Sequence, residues 1–224
     1  MSKLFLFAVV LIPSVASAAL PTWDQIKNDS GWVADSKSKT DQGEVAIEMR
    51  TIEGVSCFRG TMQSNASPDQ LLGVVGDIPS AKTWSSAGLS ASEVLSRAGT
   101  TIDYYEMLDV PGWTMASDRF WFLRGYSEKA EGRATFKWEK LVDGGAHKAR
   151  WDAVKAENPS AIEPPVNVGM WEFITSGTNT RVRYAVCTDS GGTLPQMLQN
   201  TATRKTLPDT VADAVREAKR RAGM

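Results

Sequence analysis

The chain has one histidine, His147, and two cysteines, Cys57 and Cys187, in 224 residues. A single histidine excludes zinc sites built on two or three imidazoles. It also makes His147 the residue around which any Ser-His-Asp relay would have to form. No Gly-x-Gly-x-x-Gly or Walker-type loop follows a strand-like segment, so no nucleotide cofactor is expected, and no metal either. An excess of one charge is missing too: 25 Lys and Arg stand against 26 Asp and Glu. A nucleic-acid-binding face needs a basic surplus, so nucleic acid is not an expected partner.

Apolar runs are short. The longest is Leu4 to Ile12, behind Lys3 and ahead of Pro13 and Ala16-Ser17-Ala18. A basic start, an apolar core too short for a bilayer and a small-x-small site predict a signal peptide over 1–18, cleaved after Ala18. The protein is therefore expected in the periplasm or secreted, where two cysteines are free to form a disulfide. The remaining length suits one domain with a sizeable core.

What is present reads as strands bracketed by helices. Residues 19–43 are polar and broken, and are expected to be a helix and loop extension ahead of a main domain over 44–222. Val45, Ile47 and Met49 alternate with Ala46, Glu48 and Arg50, which is strand periodicity, and 55–63 follows as a second strand after Gly54. Ser67-Pro68-Asp69 is a helix start, continued by Leu71, Leu72, Val74 and Val75. Six strands are predicted at 100–108, 119–126, 134–141, 149–156, 169–176 and 181–187, separated by turns such as Asp143-Gly144-Gly145. Leu207, Val211, Ala214, Val215 and Ala218 then form one apolar helical stripe, with Pro195 and Pro208 predicting a kinked or two-part helix. The class is α+β: an antiparallel sheet covered on one face by a terminal helix. Arg216, Lys219, Arg220 and Arg221 suit a helix C-terminus, and alternatively a transient contact with an anionic membrane surface.

Several strings in this order resemble the START family, within the helix-grip (Bet v 1-like) superfamily. They are Asp77-Ile-Pro-Ser-Ala-Lys-Thr-Trp84, Thr101-Ile-Asp-Tyr-Tyr-Glu106, Ser117-Asp118-Arg119, Gly169-Met170-Trp171, Thr180-Arg-Val-Arg-Tyr184 and Asp189-Ser-Gly-Gly192 with Leu194-Pro195 and Asn200. Phe120-Trp121 departs from the family's usual Asp-Phe, and Ser190 replaces its proline. The resemblance implies a curved sheet gripping a long C-terminal helix around an apolar cavity that holds a hydrophobic or amphipathic lipid, for transfer or sensing. It implies no catalytic residue. It pairs Arg119 with Glu106 inside the cavity, where they would orient a headgroup; an ordinary cross-strand pair is the plainer expectation.

Ligand-contacting residues are expected among Trp84, Trp113, Trp121, Trp138 and Trp171, since each indole buries a large apolar area. Trp113, in Asp109-Val-Pro-Gly-Trp113, and Trp84 would sit at the mouth. The terminal helix would supply a lid from Leu194, Met197, Leu198, Leu207 and Val211. Helix-grip folds set an early strand beside the last one, so Cys57 and Cys187 are expected to form a disulfide on the outer, solvent side of the sheet. Two other functions stay open: a cavity enzyme of the cyclase or dehydratase type using Glu106, and a ligand-free interaction module.

Overall fold

The computed structural model describes residues 19–110, 116–192 and 195–224. The signal-like segment, Trp113 and Leu194 lie outside the described residues. Thr22 opens α1 (Trp23–Lys27) with a reciprocal capping box to Gln25, satisfying two free N–H groups. Three strands follow, β1 (Val33–Thr40), β2 (Gly43–Ile52) and β3 (Val55–Ser64), then α2 (Pro68–Val75), capped in the same way by Ser67 and Gln70. A 3-10 turn leads to α3 (Ala81–Trp84) and four more strands: β4 (Leu89–Ala98), β5 (Thr101–Leu108), β6 (Arg119–Ala130) and β7 (Arg133–Lys140). Next come α4 (Lys148–Glu157), β8 (Val166–Ser176), β9 (Asn179–Asp189) and α5 (Gln196–Arg221).

All nine strands join one antiparallel sheet in the order β1-β2-β3-β9-β8-β7-β6-β5-β4. This open, curved sheet holds α5 against its inner face. Both edge strands carry register shifts, in β1 between Ala34 and Ser36 and twice in β4. Bulges at an edge discourage pairing with another chain.

The main core lies on the inner face, where Val45, Phe58, Phe136, Trp138, Trp171, Phe173 and Val182 meet Leu207, Val211, Ala214, Val215 and Ala218 of α5. Gly60 allows the close approach: a Cβ there would lie 2.4 Å from Leu207 Cδ2. Pro208 stands inside α5, which nevertheless runs as one helix. An interior proline costs about 3 kcal/mol, and the buried stripe on either side of it offsets that.

Two sequence readings are corrected, and one strand is added. Residues 33–40 form an edge strand where a loop was expected, because the polar strand has a partner in β2 and needs no buried face of its own. Residues 90–98, unassigned above, form most of β4. Residues 149–156 are helical: only Trp151 and Val154 are buried, at helical spacing, and Lys148 pairs with Asp152 one turn on. That helix covers Tyr105, Met107, Phe120 and Phe122 on the outer face of the sheet.

Candidate ligand site on the inner face

Antiparallel register places Ser92, Glu106 and Trp121 side by side across β4, β5 and β6. Directly opposed residues share a face, and Tyr104, two positions before Glu106, points the same way into the main core. Tyr184 reaches this region from β9 through a chain of rings. It lies 4.5 Å from Trp171 and 5.8 Å from Trp138, which stacks on Phe136, itself 6.3 Å from Tyr104. Gly169 makes room for the Trp138 ring, since a Cβ there would meet Cζ2 at 2.3 Å.

Glu106 is the electrostatic centre of this face. Burial raises its pKa from 4.5 to about 7, and the Ser92 contact opposes the rise. Ser92 Oγ donates to the Ile78 carbonyl at 2.6 Å and lies 3.3 Å from Glu106 Oε1. Burial also raises the Tyr104 and Tyr184 phenols, and the nearby Glu106 raises them further. The Trp121 Nε1–H is buried with no acceptor among the described residues.

The expected Glu106–Arg119 pair does not form. Arg119 is opposite Leu108, and its guanidinium donates to the Ser117 and Asp118 carbonyls and, at 2.8 Å, to Ser190 O. Among the described residues it makes no ion pair; it ties the start of β6 to the chain that leads into α5. Burial lowers its pKa. Of the remaining expected residues, Trp138 and Trp171 are buried on the inner face, and Leu207 and Val211 are buried on the sheet-facing side of α5. Trp84 is half-buried at the edge of the core and donates to Ser80 Oγ at 3.2 Å. Met197 and Leu198, in the first turn of α5, are 74% and 48% exposed, so the structure turns them to solvent instead of the sheet. Tyr104, Tyr184 and Ser92 were missed, although Tyr104 shares strand parity with Glu106 and was legible on that ground.

Cys57 and Cys187 are directly opposed on β3 and β9 and form a disulfide. They lie on the outer face as expected, but not in solvent: both are fully buried beneath α1, where Ile26 packs on them. The Thr22-x-x-Gln25 signature was the clue to that covering helix. His147 lies elsewhere, on the outer face of β5. Its Nε2 is 3.0 Å from Asp103 Oδ2 and 3.4 Å from Ser96 Oγ. A relay needs the acid and the nucleophile on different ring nitrogens; here one nitrogen serves both, and Arg124 binds both Asp103 oxygens. This is an ion cluster, not a triad. The basic C-terminal residues are engaged within the chain: Arg216 with Asp41 and Asp213, Lys219 with Gln42, Arg220 with Glu217, and Arg221 with Glu217 and Asp77.

Among solved structures, the chain is similar to the STAR-related lipid transfer protein of Xanthomonas axonopodis (fragment 25–204), with TM-score 0.66, 23% identity, and 84% of this chain and 99% of that one covered. The fold is of the START type. Human StAR-related lipid transfer protein 5 superposes with TM-score 0.68 at 14% identity, over 87% of this chain and 89% of that one. A Streptomyces aromatase/cyclase gives TM-score 0.54 at 12% identity, over 74% and 94%. No family model and no curated protein matches the chain. At these identities the START-type fold is what the likeness establishes, so function has to be argued from the inner face itself.

Proposed function

We propose that this is an exported binding protein, periplasmic or secreted, that holds a hydrophobic or amphipathic lipid between the inner face and α5. The supporting observation is the inner-face polar group: among the described residues, Glu106 has no cation and the neighbouring indole N–H has no acceptor, in an aromatic surrounding. A buried polar group without a partner costs about 1–3 kcal/mol, and a ligand headgroup would remove that cost. Tyr104, Tyr184, Trp121 and a protonated Glu106 all offer donors, and Arg119 is committed to backbone carbonyls. The site therefore suits an uncharged oxygen acceptor, such as a carbonyl or hydroxyl on a polycyclic or acyl body, over a phosphate or carboxylate. Transfer across an aqueous compartment fits this reading, with membrane contact brief because the C-terminal cations are already paired.

A second reading rests on the same carboxyl. A pKa near 7 suits a general acid or base at neutral pH, and one START-type neighbour is an aromatase/cyclase. Native mass spectrometry of the purified protein, followed by organic extraction, separates the two. A lipid bound at fixed stoichiometry and released unchanged supports the carrier. Chemical conversion of a bound polycyclic compound that stops in Glu106→Gln supports the enzyme. An empty protein that takes up neither fluorescent sterols nor acylglycerols sinks both.

A further inference from the structure

The outer face carries a charge imbalance that the inner-face reading does not use. Register builds a lattice there: Gln63, Arg181 and Ile174 lie in one row across β3, β9 and β8, and Thr61, Arg183 and Glu172 in the next. Arg59, one row further along β3, binds Glu48 through two nitrogens and Asp29 at 2.7 Å. Arg183 reaches Glu172 and the same Asp29, both at 3.2 Å. Glu172 also receives Arg133 at 2.5 Å. Three carboxylates thus serve Arg59, Arg183 and Arg133. Arg181 is left over: among the described residues it has no hydrogen bond or ion pair, and its Nε is buried without an acceptor. The Arg183 Nε is orphaned in the same way. After burial, the neighbouring Arg59 is the largest influence lowering the Arg183 pKa, and Arg181 adds to it.

We propose that the outer face of β3 and β9 holds an anion site, in which Arg181, with Arg183 beside it, takes a phosphate group. The geometry favours phosphate over carboxylate. Arg181 and Arg183 are two residues apart on the same face of one strand, about 7 Å in rise, so one anion can span the two guanidinium groups. A carboxylate's two oxygens fill one fork, whereas a phosphate presents oxygens to both. Gln63 and Thr61 face the two arginines across the strand pair and add side-chain donors. The phosphate could be free or the terminal group of a lipid headgroup, and the site is independent of the inner-face ligand.

The test titrates the full mature protein with inorganic phosphate against chloride at constant ionic strength, following the arginine Nε–H resonances by NMR. A parallel arm measures flotation with phosphatidylcholine vesicles with and without phosphatidic acid. The expected result is a saturable shift of the Arg181 and Arg183 resonances. Arg181→Gln should weaken binding about tenfold or more, and Arg181→Lys, which keeps charge but loses the fork, by less. Arg181-dependent phosphate binding without flotation names the free anion; Arg181-dependent flotation with phosphatidic acid names the headgroup. No saturable shift and no flotation, or a response unchanged in Arg181→Gln, overturns the proposal.

Discussion

Replacing Glu106 with Gln should stabilise the empty protein, and the gain should depend on pH. Folding raises the Glu106 pKa from 4.5 to about 7 because burial penalises the charged form. Between those values the folded state holds a proton that the unfolded state has lost. Stability therefore falls as pH rises through this window, and the full loss is present above about pH 7. At about 1.4 kcal/mol per tenfold change, the loss approaches about 3 kcal/mol. Glutamine keeps the shape and the Ser92 contact but cannot ionise. At pH 8 the variant should be more stable by up to about 3 kcal/mol, and at pH 4 by almost nothing. For a chain of this length that is about 6–12 °C in Tm at the higher pH. Urea denaturation of ligand-free wild type and variant at both pH values measures it directly. An equal difference at the two pH values, or a variant less stable at pH 8, would refute the claim that Glu106 is buried without a compensating charge.

Trp121→Phe removes an indole N–H that has no acceptor among the described residues, so the empty protein should change by no more than about 1 kcal/mol while ligand affinity drops about tenfold; an unchanged affinity would place the headgroup elsewhere. Gly169→Ala drives a methyl into the Trp138 ring and to within 2.6 Å of the Ala185 carbonyl. It should cost at least about 1–3 kcal/mol with altered tryptophan fluorescence, and a variant of wild-type stability and spectrum would contradict the close packing. The Cys57–Cys187 bond spans a sequence separation of 130. Its reduction should lower stability by about 4–5 kcal/mol, and thiol labelling of the unreduced, denatured protein should find no free cysteine. Because α1 covers the bond, deleting residues 19–32 should speed its reduction by a small thiol; an unaltered rate would show that α1 does not shield it.

The sequence alone was enough for the broad architecture, because periodicity is a local property. Alternation in Val45–Ala46–Ile47 marks a half-buried strand, and the Leu207–Val211–Ala214–Val215–Ala218 stripe marks a helix with one buried face, wherever they end up. Where the pattern was ambiguous it failed. Ala149-Arg-Trp-Asp reads as alternation, and only the exposed aromatic surface of Tyr105, Phe120 and Phe122 waiting to be covered makes the segment a helix. The polar 33–40 segment has no apolar signal, and it becomes a strand because β2 offers an unpaired edge. The START resemblance brought Cys57 and Cys187 together correctly, since strand order sets their neighbourhood, but it could not show that α1 buries them. It also set Arg119 beside Glu106, and tertiary structure decided otherwise. A one-row offset in register puts Leu108, not Glu106, opposite the arginine, and the Ser117 and Ser190 carbonyls claim its donors. Which charges meet depends on register and on the paths of distant loops, and no local pattern in the chain encodes either.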